Sequence, residues 1–288
     1  MKTIRLISTG LLAVLMCVNF TACNGDDEED EVNNEPGTEK PETGTVKRLK
    51  QYSYKEIEED NYEYSYTLDF EYDQLGRITK ITDKTKEGSS YSTEVYEYVW
   101  DGNTIEEYCD GYLEHTFTIS DKIVRNASCD YNSNNSFLYN SSGRLITWSQ
   151  DNDYYGHKYY YKWNGDKVTE IIMDEYDNYD GDWKMTYKIS YGNKKCSGYC
   201  PIVGEFVDIS HLTKAHPELF GCITNTLPTK IIVEDDIYGE MGSQEFTYEL
   251  DKDGYIIKLT GKVKGADFED GNNEYIFISG YEYNFVWE

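Results

Sequence analysis

The sequence predicts an all-β fold: an antiparallel up-and-down meander of about fourteen strands that curls into a barrel-like or strongly bent sheet. The first observation is an alternation of apolar and polar residues in many segments, and the second is a turn motif that recurs between them. Hairpins that follow one another along the chain place each strand beside the next. About fourteen strands are more than a flat open sheet usually carries, so the sheet should curl or close to protect its edges.

The first hairpin, residues 61–83, shows the alternation most clearly. Its apolar residues occupy every second position, namely Tyr62, Tyr64, Tyr66, Leu68, Phe70 and Tyr72. A period of two predicts a strand with one apolar and one solvated face. We therefore expect this aromatic stripe to form the inner wall of the curled sheet, either packed solid or open to a ligand.

The recurring turn motif is an aromatic residue, Asp or Asn, two further residues, Gly, a basic or polar residue and an aliphatic residue. Its copies are Tyr72–Ile78, Tyr139–Leu145 and, more weakly, Leu250–Ile256, with shortened versions at Trp100 and Trp163. Ile119-Ser-Asp-Lys and Tyr191-Gly-Asn resemble decayed copies, and with them successive copies start 19 to 28 residues apart as far as Tyr191. This spacing is typical of a repeat that contributes one hairpin each time.

One segment, residues 194–226, lacks the alternation. Asp208–Ala215 and Pro217–Gly221 are predicted to form two short helical turns, because Asp208 can cap the first, Pro217 suits a helix start and Gly221 suits a helix end. Its apolar residues need burial, which predicts a plug or lid across one mouth of the curled sheet.

The N-terminus has the three parts of an export signal. Lys2 and Arg5 precede an apolar stretch, Leu6–Phe20, which ends in Phe20-Thr-Ala-Cys23. Small residues before a cysteine resemble a bacterial lipobox, which implies a signal peptide over residues 1–22 and lipidation of Cys23. The alternative is an ordinary signal peptide with a chance cysteine.

Residues 23–45 are predicted to be a disordered acidic tether that carries a single Tyr-rich β domain, residues 46–288. Six acids in a row, Asp26–Glu31, precede a stretch rich in Pro, Gly and Thr that cannot bury apolar area. An acidic run after a lipidated cysteine resembles the surface-export signal of Bacteroides-type lipoproteins, and the alternative is a solvated linker facing the periplasm. The predicted location is the outer membrane, facing either the cell surface or the periplasm.

Composition limits the partners of the chain. The net charge of −27 argues against nucleic acid, whose phosphates would need neutralising, and against attraction to an anionic membrane surface. Besides Cys17 and Cys23, the chain has five cysteines, Cys109, Cys129, Cys196, Cys200 and Cys222. An odd number leaves at least one free thiol. A disulfide among Cys196, Cys200 and Cys222 is possible. Cys109 and Cys129 lie two strands apart in a simple meander, which is too far for a disulfide.

The turn copies at Tyr72 and Tyr139 resemble the YD repeat of Rhs-type proteins. The whole layout of lipobox, acidic tether, Tyr-rich hairpins and one helical insert is similar to a family of Bacteroides-type outer-membrane lipoproteins without an assigned function. That resemblance implies a porin-like β fold and an envelope location. It implies no catalytic residue.

No motif for a hydrolase, a phosphate loop or a zinc site occurs in the chain, so the sequence predicts no catalytic residue, metal or cofactor. A calcium site in the acidic loop Asp174–Asp182, and a metal role for His211 and His216, are the alternatives to solvated acidic turns and structural histidines. A transmembrane barrel is disfavoured because the apolar faces consist mainly of Tyr and the opposite faces are densely acidic.

Tyrosine is the strongest functional signal, with 29 residues in the chain. The run Tyr159-Tyr160-Tyr161 and two tryptophans could line a glycan or polypeptide site, and the assigned ligand-binding residues are Tyr159, Tyr161, Trp163, Trp183 and Tyr187. The alternative is that Tyr simply suits a half-buried pleated surface. The sequence thus predicts a lipid-anchored, non-catalytic protein that binds a glycan or an envelope protein. The alternatives are a structural scaffold of the outer membrane and a carbohydrate-active enzyme.

Overall fold

The computed structural model describes residues 47–57, 64–129, 134–151, 155–177, 182–207, 209–237, 239–269 and 273–288. The predicted signal peptide (1–22) and tether (23–45) lie outside the described residues. Each strand pairs antiparallel with the next along the chain, and the first pairs with the last, which closes a barrel. The predicted all-β meander is confirmed, with sixteen strands where the repeat spacing predicts about fourteen.

The strands are β1 (Leu49–Ile57), β2 (Tyr64–Tyr72), β3 (Ile78–Glu87), β4 (Ser90–Asp101), β5 (Thr104–Cys109), β6 (Tyr112–Ser120), β7 (Ile123–Cys129), β8 (Asn134–Tyr139), β9 (Leu145–Asp151), β10 (Tyr155–Asn164), β11 (Lys167–Asp177), β12 (Trp183–Lys195), β13 (Thr226–Asp235), β14 (Gly239–Leu250), β15 (Ile256–Glu269) and β16 (Asn273–Trp287).

The aromatic stripe of the first hairpin faces the barrel interior over its described residues, where Tyr66, Leu68 and Phe70 are buried, while Tyr62 lies outside the described residues. The Tyr52 ring stacks on Tyr283 at 5.3 Å and meets the edge of Tyr66 at 5.6 Å. The Tyr54 ring lies 5.1 Å from Tyr283 and 5.2 Å from Tyr66. The hydroxyls of Tyr52 and Tyr66 share a hydrogen bond of 2.9 Å. Because these rings pack against one another, this part of the wall is hydrophobic core and not an open ligand surface.

The outer face of the barrel is charged. Lysine and carboxylate side chains on neighbouring strands form exposed ion pairs across it. Examples are Lys84–Asp69, Lys188–Glu234 and Lys258–Glu282, each with 2.6 Å between nitrogen and oxygen. Exposed apolar side chains such as Val99, Leu138 and Val286 are interspersed among them. This arrangement, with apolar side chains inside and charged side chains outside, is the opposite of that in barrels that face lipid.

The segment between β12 and β13 enters the barrel. It contains two 3₁₀ helices, Pro201–Phe206 and Pro217–Phe220, and a single α-helical turn, Leu212–Ala215, and we call residues 196–225 the insert. The first 3₁₀ helix has no counterpart in the sequence prediction. The α-helical turn begins at Leu212, later than predicted, and the predicted cap Asp208 lies outside the described residues. In the described ranges, no helix is long and apolar enough to cross a membrane.

Both apolar and backbone contacts fix the insert to the barrel wall. The Phe220 ring, which is fully buried, lies 6.1 Å from Phe117 of β6 and 5.7 Å from Phe137 of β8. The backbone N–H of Leu145 donates to the carbonyl of Gly221 at 3.1 Å. These contacts make the insert part of the hydrophobic core.

A buried carboxylate ties the insert to β5. Glu107 is 1% exposed and accepts hydrogen bonds from the Ser210 hydroxyl of the insert and from Nδ1 of His115 on β6, the latter at 3.3 Å. Burial would raise the pKa of Glu107, but the hydrogen bond and charge of His115 outweigh it and, with the Ser210 hydroxyl, hold the pKa below its usual range.

The two histidines of the insert also have protein partners. His211 Nε2 lies 3.2 Å from Asp83 Oδ2, and its ring stacks on Tyr96 at 4.1 Å. His216 Nε2 accepts from the backbone N–H of Ile78 at 3.1 Å, and its Nδ1 lies 2.6 Å from Glu218. No three potential metal-ligating side chains gather in the part of the chain that the structure describes.

The predicted turn copies share one geometry. Asp73, Asn140 and Asp251 each place Oδ1 against the backbone N–H groups two and four residues later, at 2.8 to 3.1 Å. The motif glycine follows with a positive φ of 83° at Gly76 and 72° at Gly143. Only glycine adopts a positive φ without an energetic penalty, which explains why the motif has Gly at this fixed position.

The aromatic residue of the motif connects its strand to the preceding strand by a hydrogen bond. Its ring N–H or hydroxyl donates to a backbone carbonyl of a neighbouring strand, and in most copies a basic side chain covers the ring. The bonds are Trp100 to Ile78 (2.8 Å), Tyr139 to Val124 (2.6 Å), Trp163 to Leu145 (2.7 Å), Tyr191 to Val168 (2.9 Å) and Trp287 to Ile256 (2.7 Å). These bonds form a girdle around one end of the barrel, which we call the turn end.

The described chain enters and leaves at the turn end. Arg48 and Glu288 exchange backbone hydrogen bonds of 2.8 Å, and the Lys47 ammonium lies 2.6 Å from Asp251 and 2.7 Å from Asp253. Because strands alternate in direction, the last residues of β9, β11 and β13 lie at the opposite end, which we call the far end.

None of the five described cysteines forms a disulfide. Burial raises the pKa of the Cys196 and Cys222 thiols, so both stay protonated at neutral pH.

Candidate functional site

A cleft of about 390 Å³ opens at the far end, where the ends of β9 to β12 meet the turn after β13. Three kinds of side chain line it. They are the aromatic residues Tyr160, Tyr176 and Trp183, the acids Asp151, Asp174, Glu175, Asp182 and Asp236, and the basic residues His157, Lys158 and Lys184. Its volume falls in the range of small-ligand pockets, roughly 300–1,000 Å³.

Strand register builds the charged part of the cleft. Lys158 of β10 lies opposite Asp174 of β11, which lies opposite Lys184 of β12, so the three form one row across the sheet. The Lys184 ammonium is 3.3 Å from Asp174 Oδ1. The next row places Glu175 opposite Trp183 on the other face. The cleft therefore draws on both faces of the sheet, which is feasible only at the rim.

A glycine positions one of the aromatic rings. Gly156 of β10 lies between Asp151 of β9 and Tyr176 of β11. The Tyr176 ring crosses over the glycine and its hydroxyl donates to Asp151 Oδ1 at 3.1 Å. A Cβ atom on residue 156 would lie 2.4 Å from the ring, so a larger residue would displace it. The strand glycine is the reason that Tyr176 can span three strands.

His157 adds no positive charge to the cleft at neutral pH. Burial lowers the pKa of its imidazole to about 4, although the charge of Asp151 acts in the opposite direction. Its ring meets the edge of Trp148 at 4.9 Å. The charge of the cleft is thus set by its five carboxylates and two lysines.

Of the five residues that the sequence assigns to ligand binding, Trp183 lines the cleft. Tyr159 stacks on Trp148 at 4.9 Å, and Tyr187 meets the Phe206 ring of the insert at 4.8 Å. The buried Tyr161 hydroxyl donates to the Phe206 carbonyl at 2.7 Å.

The remaining assigned residue, Trp163, belongs to the girdle at the turn end, where the guanidinium of Arg144 lies 5.2 Å from its ring. The ligand-binding role of the five residues stays a prediction. Tyr160 and Tyr176 are absent from that assignment. Tyr160 points to the face opposite to Tyr159 and Tyr161.

The cleft can bind a ligand with apolar faces and hydrogen-bond donors. Aromatic rings offer flat apolar contact, and ionised carboxylates accept hydrogen bonds from hydroxyl or ammonium groups. A saccharide has both features, because its ring carries C–H groups on its faces and hydroxyls on its edges.

No protein-family model matches this chain, and no curated protein matches it in sequence. Two crystal structures resemble its fold, both described as porin-like proteins. The protein from Bacteroides uniformis has a TM-score of 0.60 at 15% identity, with 83% of this chain and 96% of that chain covered. The protein from Bacteroides vulgatus has a TM-score of 0.51 at 13% identity, with 83% and 98% covered. The porin-like fold that the family resemblance implies is confirmed.

Proposed function

We propose that this chain is a lipid-anchored protein of the outer membrane that binds a saccharide in the far-end cleft without converting it chemically. The observation that carries the proposal is the convergence of Tyr160, Tyr176 and Trp183 with five carboxylates at one rim of the barrel. Pockets of this kind combine apolar contact area with a few polar groups that fix the orientation of the ligand.

The distribution of charged and apolar side chains supports a barrel whose outer face is surrounded by water. Exposed ion pairs such as Lys84–Asp69 and Lys188–Glu234 cross its outer face, whereas the interior is filled by apolar and aromatic side chains. A lipid on Cys23 would then supply the membrane attachment. Because the described chain begins at the turn end with Lys47, a tether that precedes it would join the barrel at the end opposite to the cleft.

Calorimetry with the purified mature lipoprotein, guided by a glycan array, tests the proposal. We expect at least one saccharide to bind, and Trp183→Ala to weaken its affinity by about five- to thirtyfold, since one lost aromatic contact is worth roughly 1–2 kcal/mol. The matched control is Tyr112→Ala, which removes a ring that is 77% exposed and lies outside the cleft.

The same samples are assayed for released products. The proposal predicts that the bound saccharide stays intact, and cleavage would instead support the enzyme alternative. Absence of binding to every saccharide, or equal affinity of the wild-type and Trp183→Ala proteins, would contradict the proposal.

A further inference from the structure

The far-end cleft carries an excess of negative charge in addition to its aromatic surface. Five carboxylates line it and only two lysines do. One of these, Lys184, is already paired with Asp174 at 3.3 Å. The other, Lys158, has its ammonium 5.2 Å from the centre of the Tyr160 ring. With His157 neutral, five carboxylates against two lysines leave the lining with a net charge of −3.

Two of the carboxylates are in a position to meet a ligand. Asp182 and Asp236 are both exposed at the cleft, and no cation of the described ranges lies within ion-pair distance of either. The backbone N–H of Asp236 donates to the carbonyl of Lys184 at 3.3 Å, which holds the turn after β13 against β12. The backbone of Asp236 is thus held beside the strand that carries Trp183.

The third potential cation, His157, is neutral under most conditions because burial lowers its pKa to about 4. Lowering the pH from 7 to 6 therefore protonates an amine on a ligand without adding charge to this imidazole.

We propose that the cleft selects saccharides that carry a free amine, binds their neutral counterparts more weakly and rejects carboxylated ones. This inference rests on the proposed function and adds the charge class of the ligand. Stacking on Trp183 and Tyr160 would be common to all three classes, whereas the ammonium of an amino sugar would lie near Asp182 and Asp236. Opposite charges a few ångströms apart at a protein surface attract, and like charges repel by a similar amount.

Calorimetry of the full mature chain at pH 6 tests this with three probes: a glucosamine tetramer, an N-acetylglucosamine tetramer and a galacturonate tetramer. We expect the glucosamine tetramer to bind about tenfold more tightly than its acetylated form, and the galacturonate tetramer to bind most weakly. Raising the salt concentration should narrow the first difference, because exposed charges are screened.

Variants separate the cleft from the overall charge of the chain. The double variant Asp182→Asn/Asp236→Asn should reduce the preference for glucosamine at least about threefold and leave the affinity for the acetylated tetramer unchanged. The control Glu249→Gln removes an exposed charge of β14 that does not line the cleft, and should keep the preference. Trp183→Ala should weaken both tetramers by the same factor.

Three outcomes would overturn the inference. If all three probes bind equally and depend on Trp183, the proposed function stands and the charge preference is wrong. If glucosamine binds regardless of Trp183, Asp182 and Asp236, the attraction is a general effect of a chain with a net charge of −27. If no probe and no other saccharide binds, the proposed function and the inference fail together.

Discussion

Glu107 attaches the insert to β5 through a buried carboxylate. Its carboxylate is buried between the Ser210 hydroxyl and the His115 imidazole. Glu107→Gln removes the charge, so we expect the free energy of unfolding at pH 7 to fall by about 1–3 kcal/mol in urea titrations. The control Glu97→Gln, on the exposed face of the adjacent β4, should change it by less than about 0.5 kcal/mol. Equal effects of the two substitutions would contradict this role.

The same residue gives the stability a pH dependence. Because the pKa of Glu107 is held below its usual range, its contribution is complete above the unfolded value near 4.3 and is lost as the pH falls through the folded value. The difference between wild type and Glu107→Gln should therefore shrink in acid.

Two glycines let a tyrosine ring cross a strand, one in the core and one at the surface. The Tyr281 ring lies over Gly261, where a Cβ atom would be 2.2 Å away, and its hydroxyl donates to the buried Gln244 at 2.9 Å. Gly261→Ala should cost about 2–3 kcal/mol, because the ring cannot move aside and Gln244 loses its partner.

Gly156→Ala is the matched case, since the Tyr176 ring above it is 38% exposed and can swing into solvent. We expect a cost below about 1 kcal/mol in the same urea titrations. Gly204, whose added Cβ would meet open space, provides the control Gly204→Ala. A larger cost for Gly156→Ala than for Gly261→Ala would refute the account of both crossings.

At the level of elements, the turns are the part that the sequence predicts best. In the Tyr139–Leu145 copy, Asn140 Oδ1 accepts from the N–H groups of Ser142 (2.9 Å) and Arg144 (3.1 Å). Asn140→Ala should lower stability by about 1–2 kcal/mol, measured by thermal unfolding, whereas Asn140→Asp should preserve it, because Asp fills this position at residues 73 and 251. Ser141→Ala, at an exposed position of the same turn, is the control. An Asp variant as unstable as the Ala variant would contradict the shared geometry.

The contacts between elements are harder to predict. The motif explains why Gly143 follows Asn140, since both act within five residues, but not why Trp163 donates to the carbonyl of Leu145, which depends on how neighbouring hairpins align. The cleft was missed for a similar reason. In the run Tyr159–Tyr161 both faces are aromatic, so alternation alone does not show which ring faces a site. Strands β5 and β8, of six residues each, are too short for a clear alternation, which accounts for the low strand count.

For the whole molecule, the decisive feature is that apolar side chains face the barrel interior and charged side chains face outward. The rings of Tyr52, Tyr54 and Tyr66 face inward against one another and the insert fills the interior, while ion pairs cross the outside. The chain shares its fold with the porin-like proteins of Bacteroides, yet its outer face is suited to water. Closure also leaves no sheet edge open to pairing, so such a barrel can stand free on a tether.

Fractionation of cells tests this account most directly. In the variant, a secretion signal that is cleaved without lipidation replaces residues 1–22, and Cys23→Ala removes the proposed acylation site. We predict that the variant is recovered folded in the soluble envelope fraction without detergent, while the wild-type chain stays with the outer membrane. If the variant remains in the membrane and detergent is needed to extract it, the barrel itself contacts lipid and the account is wrong.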